Sequence, residues 1–116
     1  MNQHTRTSKL PEVFSLDLHG AFMRGTSLRR ANLTRANLAG ADCRGADFAG
    51  SNLSAANFDG ADLSNADLTG CDLNGAQFKG TVLRGAILRD VKNLSKQQLE
   101  FAFVDETTVL PANFAA

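Results

Sequence analysis

The sequence predicts an all-β solenoid, a chain wound into square coils of about twenty residues and stacked about four coils high. Three observations predict it. A five-residue period runs from Leu16 to Asp90 without an insertion, as in LDLHG, AFMRG and, further on, ADLSN and ADLTG. The third residue of every block is apolar, and all ten glycines of the protein fall on the fifth.

A period of five matches neither the 3.6 of a helix nor the 2.0 of a strand, so neither element can be continuous here. A chain that turns a corner once per block accommodates it, and four blocks close a square. The inward positions are then Leu18, Met23, Leu28, Leu33, Leu38, Cys43, Phe48, Leu53, Phe58, Leu63, Leu68, Leu73, Phe78, Leu83 and Leu88. The first residue of a block is almost always small, mostly Ala, which lets the corner pack against the interior. The second is mostly Asn or Asp, whose short side chains hydrogen-bond turn backbone, and glycine at the fifth tolerates positive φ. Stacking coils at about 4.8 Å pairs the backbone groups of each coil with those of its neighbours. Cys43 shares a layer with Phe48, so a small thiol offsets a large ring.

The blocks resemble the pentapeptide-repeat family, whose motif is A(D/N)LXX, over residues 16–90. The resemblance implies that family's right-handed quadrilateral β-helix. Hexapeptide and nonapeptide β-helices, and leucine-rich repeats, are excluded by the period alone.

An open stack exposes apolar layers and unpaired edges at both ends, so the flanks are expected to cap it. Residues 1–15 form the N-terminal segment, with Val13 and Phe14 expected over Phe22. Residues 91–116 form the C-terminal cap, with a helix expected over about 95–103. Ser95 as N-cap with Gln98 at N3 makes a capping box, Leu94 and Leu99 a hydrophobic staple. Leu99, Ala102 and Phe103 are expected against the last coil. The segment LSKQQLEFAFVDETTVLP resembles the terminal cap of relatives. Phe114 in the tail is expected to cover Val82 and Ile87, which replace Asn or Asp at the second position.

Charge is banded. Lys and Arg number 12 and so do Asp and Glu, for a formal net charge of zero. Residues twenty apart share a face, so Arg24, Arg44 and Arg84 align, interrupted by Ser64, and Asp42 stacks on Asp62. Arg29, Arg30 and Arg35 make the first coil basic. No Lys or Arg occurs between Gly45 and Phe78, where Asp47, Asp59, Asp62, Asp67 and Asp72 lie. Basic residues return from Lys79 onward. Some members of the family inhibit type II topoisomerases such as gyrase by presenting a long acidic rod in place of DNA. Zero net charge and a short stack disfavour that role here, and direct binding to nucleic acid is not expected. Two stacked carboxylates are too few for calcium, and the reading for the Asp ladder is hydrogen bonding and solvation.

Catalytic constellations are not found. His4 and His19 have no partner at useful spacing for a triad or zinc site. Cys43 and Cys71 read as buried thiols replacing Leu and Ala, on different coils and faces, so no disulfide is expected. Two cysteines in this length favour a reducing compartment. MNQHTRTSKLPEVF holds no apolar h-region, and no run of eighteen apolar residues exists, so neither a secretory signal nor a membrane span is expected.

The reading is a non-catalytic, cytoplasmic interaction or scaffold module without cofactor or metal. Its candidate surface is Arg24, Arg44 and Arg84 with Asp42 and Asp62, its partner a protein. It is expected as a monomer or an end-to-end dimer, either whole or as the repeat domain of a longer chain.

Overall fold

The computed structural model describes residues 15–114. The fold is assembled from one local unit. The second residue of each pentad pairs in parallel with the residue twenty positions on: Asp17 with Asn37, Phe22 with Asp42, Ser27 with Asp47, Asn32 with Asn52, and so on to Asp72 with Lys92. Four pentads therefore close one coil. Each pairing uses two backbone bonds, as where Asn37 N donates to the Leu16 carbonyl (2.8 Å) and Leu18 N to the Asn37 carbonyl (2.7 Å).

The corner has its own bonding. The first residue of a pentad donates its N–H to the third-position carbonyl before it, as Ala36 N does to the Leu33 carbonyl at 3.0 Å. Closing that turn puts the fifth residue at positive φ, and Arg30, Arg35, Ala55, Asn65 and Asp90 adopt it alongside the glycines. The Asn or Asp at the second position accepts from the backbone N–H two residues on; Asn57 Oδ1 bonds Asp59 N at 2.9 Å, Asp67 Oδ1 bonds Thr69 N at 2.9 Å. This bond recurs at all ten pentads with Asn or Asp in second place, and it is the physical content of the repeat's second letter.

The interior is filled by the third-position side chains and the small first-position residues. Phe58 stacks on Phe78 with centroids 5.6 Å apart and meets Phe48 edge-on at 5.9 Å. Leu18 and Leu28, in the first coil, are only half-buried, and no layer lies beneath them among the described residues. Where a polar residue takes the buried first position, its side chain finds a third-position carbonyl in the coil below. Ser51 Oγ donates to Leu28 (2.6 Å), Cys71 Sγ to Phe48 (3.0 Å) and Thr81 Oγ1 to Phe58 (2.6 Å). Buried hydroxyls are tolerated there because each has an acceptor.

The C-terminal end differs from the expectation. The helix expected over about 95–103 is a single 3-10 turn, Lys96–Leu99, opened by the Ser95–Gln98 capping box. Phe103 is not a helical residue. It pairs with Val82 on the outside of the stack and is 53 % exposed. Its N–H donates to the Thr81 carbonyl at 2.9 Å and its carbonyl accepts from Leu83 N at 2.8 Å. Backbone groups at the rim of the last regular coil thus recapture the chain after one turn, and ladder bonds replace further helix. Leu94, Leu99 and Ala102 pack against the core.

Val109 then pairs with Ile87. Thr108 is buried and donates to the Leu83 carbonyl at 2.7 Å, as Thr81 does one coil below. Val82 and Ile87 are accordingly stacked under Phe103 and Val109, not under Phe114, which lies in the short 3-10 turn Ala112–Phe114. The cap is an irregular fifth coil. Cover for Phe22 by Val13 and Phe14 falls outside the described residues; Phe22 itself is 93 % exposed.

Candidate functional site

The coil register brings Phe22, Asp42, Asp62, Val82 and Phe103 into one outward column. Arg24, Arg44 and Arg84, two residues after Phe22, Asp42 and Val82, flank it on the same face. Asp42 is the hub. It accepts from Arg24 Nε at 2.9 Å and from Arg44 Nε and Nη2, both at 2.9 Å. The two bonds from Arg44 go to different carboxylate oxygens, so that guanidinium grips Asp42 bidentately. Arg44 Nε also lies 3.7 Å from Asp62 Oδ2. Two arginines and two aspartates of this face therefore alternate in one network, which offsets the repulsion expected between stacked carboxylates.

Arg84 stands outside that network, because the column positions equivalent to Asp42 and Asp62 are for it Val82 and, one coil above, Phe103. It makes no salt bridge among the described residues, and its charge helps hold the Asp105 carboxyl below its usual range, after the larger contribution of hydrogen bonds from Thr107. On the next face Arg29 pairs with Asp47 at 3.1 Å. The Asp47 carboxyl is lowered chiefly by the Ala49 N–H, with Arg29 adding to it. The basic first coil thus pairs with carboxylates of the coil above it, at Arg24–Asp42 and Arg29–Asp47.

The thiols are unsuited to nucleophilic chemistry. Cys43 and Cys71 are free and buried. Burial, with Asp42 and Asp62 nearby, pushes the Cys43 thiol up to about 12; burial pushes that of Cys71 up to about 11. Both hold their protons at neutral pH. No group of three or more His, Cys, Asp and Glu among the described residues could hold a metal ion. The only described histidine, His19, has one acidic partner, Asp17, through Nδ1 at 2.8 Å. A groove of about 320 Å³ lies on the outside, between the 3-10 turn and the coil, lined by Asp59, Gln77, Lys79, Gln97, Gln98 and Phe101 among others. No helix among the described residues is long and apolar enough to cross a membrane.

A family model for pentapeptide repeats matches residues 16–50, 26–65 and 61–92, with 8 copies. The chain belongs to the pentapeptide-repeat family. Two solved pentapeptide-repeat proteins resemble it along most of their lengths. One, from the thylakoid lumen of Arabidopsis thaliana, is 25 % identical with a TM-score of 0.66, over 87 % of this chain and 70 % of that one. The other, from Nostoc PCC 7120, is 28 % identical with a TM-score of 0.53, over 96 % of this chain and 83 % of that one. The fold is accordingly the right-handed quadrilateral β-helix. QnrB1, a plasmid-mediated fluoroquinolone resistance protein, matches at 19 % identity and a TM-score of 0.37, too distant to carry a functional argument. No curated protein matches the chain.

Sequence reasoning missed Phe22 and Phe103 as members of the arginine face. The pentapeptide register places Phe22 there by counting alone, whereas Phe103 arrives only because the cap gains one residue relative to the coil below. Gln98 has a second role beyond the capping box. Its Nε2 also donates to the Leu73 and Ala76 carbonyls, each at 2.8 Å, and so clamps the cap to the last coil.

Proposed function

We propose that the protein is a non-catalytic docking module of the cytoplasm that presents the face of Arg24, Asp42, Arg44, Asp62 and Arg84 to a protein partner. One observation carries the reading: this face combines locked ion pairs with an arginine outside them, Arg84, and ends in two exposed phenylalanines, Phe22 and Phe103. Arg and Phe are enriched in the cores of protein interfaces, and a rigid, pre-ordered platform loses little entropy on docking. The interior is filled with side chains, which favours surface recognition over enclosure of a ligand. Two free thiols fit a reducing compartment.

Affinity capture from the native cell tests the assignment. The double variant Phe22→Asp, Arg84→Glu should lose the captured partner, while Ser54→Arg on the opposite face should keep it. Retention by the double variant would exclude this face. Inhibition of gyrase is disfavoured by the cancelling charge bands, and a supercoiling assay is expected to show none at micromolar protein.

A further inference from the structure

We infer that Asn74 is a site of spontaneous deamidation, placed so that its conversion loosens the C-terminal cap. Asn74 and Gly75 are both exposed and form the corner after Leu73. Gly75 lacks a side chain that would shield its nitrogen, and at φ 71° it occupies the left-handed region. In the coils below, the corresponding glycine N–H groups are committed to the next coil: Gly20 to Ala39, Gly40 to Asp59, Gly50 to Thr69 and Gly60 to Lys79, at 2.8–2.9 Å. Above Gly75 the regular coil has ended. Its N–H makes no hydrogen bond among the described residues, and neither does the Asn74 side-chain amide.

The contrast with Asp59–Gly60, the other acid- or amide-glycine pair at a corner, is instructive. There Asp59 Oδ1 accepts from Lys79 N at 2.9 Å, and Gly60 N donates to the Lys79 carbonyl at 2.9 Å. Both reacting groups are held apart in the ladder. At Asn74–Gly75 nothing holds either one.

The chemistry needs only water. The Gly75 nitrogen attacks Asn74 Cγ, the N–Cγ bond forms, the Cγ–Nδ2 bond breaks, and the amide proton leaves with the amine as ammonia. Water then opens the cyclic imide at either carbonyl, giving aspartate or isoaspartate at position 74. No oxidant or reductant takes part. Isoaspartate lengthens the main chain within the turn Leu73–Ala76. The carbonyls of those two residues are the pair that Gln98 Nε2 bridges. A longer backbone between them separates the two acceptors and weakens the clamp.

The full-length protein is aged at physiological temperature and followed by peptide mapping with fragmentation. The mass gain of an amide-to-acid conversion, with isoaspartate as a product, is expected at Asn74 first. Asn52, Asn57 and Asn65 lie in the same tryptic peptide and serve as slow controls. Conversion at Asn74 no faster than at those three overturns the inference. Aged wild-type protein should also melt lower than fresh and exchange amide hydrogens faster over residues 94–101. Asn74→Ser leaves the turn glycine untouched, and its melting should not change with age. An equal loss on ageing in that variant would dissociate the cap from this site.

Discussion

The middle of the stack and its C-terminal rung solve the same backbone problem with different chemistry. Between Ala36 and Leu73 every pentad has a coil on both sides, and one small set of bonds recurs from block to block. Beyond Asp90 there is a coil beneath but, among the described residues, none above. The chain there uses a 3-10 turn, a glutamine clamp and a threonine in place of strict repetition. The first coil is a third condition, since among the described residues nothing lies beneath it and Phe22 and Leu16 are exposed. A repeat is thus a solution for interior rungs; an end needs groups that bond one neighbour only.

The largest expected effect is on the interior. Phe58 touches rings above and across from it, so Phe58→Ala should cost ~3–5 kcal/mol in urea unfolding. Leu28→Ala, at the half-buried first layer, should cost clearly less. Equal losses would erase the distinction between middle and end.

At the cap, Gln98→Glu keeps an oxygen for the Ser95 N–H but can no longer donate to Leu73 and Ala76. A loss of ~1–3 kcal/mol is expected, as for carbonyls left without partners, together with faster hydrogen exchange confined to residues 94–101. Uniform acceleration along the stack would show that the clamp is not local.

Layer volume is tested by Cys43→Leu. Cys43 is fully buried in the layer of Phe48, and the added bulk should destabilise by ~1–3 kcal/mol. A melting temperature that does not move would mean the layer has slack.

The smallest effect is at the corners. Ala55 holds φ 59° where most pentads have glycine. Ala55→Gly relieves a left-handed conformation but adds entropy to the unfolded chain, for a net gain of ~0.5 kcal/mol. Gly85→Ala should go the other way, because a Cβ there would fall 2.1 Å from Asn65 Oδ1. A denaturation midpoint that rises for the glycine variant and falls for the alanine variant is the expected pattern.

Much of this was present in the order of residues. The spacing of Leu, Asn or Asp and Gly dictates which side chains point inward, which accept from turn backbone and which adopt positive φ. Those are properties of a single pentad and its neighbours in register. The alignment of Arg24, Asp42, Arg44, Asp62 and Arg84 on one face follows from counting in twenties. Their pairing does not, since Arg24 reaches up a coil to Asp42 while the equivalent position above Arg84 is held by Phe103 of the cap, which has no carboxylate.

The cap shows the limit of local reading. Ser95 and Gln98 announce a helix start, and the capping box forms. How far a helix runs is decided by competition with unpaired backbone at the rim, which no local signal reports. The resemblance of Thr108-Val109-Leu110 to Thr81-Val82-Leu83 was available, but the extra residues in the cap break the count and hide it. The sequence by itself determined the coil, because a fivefold pattern has one backbone solution repeated many times. The tertiary structure alone decided how the coil closes, because terminal backbone groups take whichever partners the last rung leaves within reach.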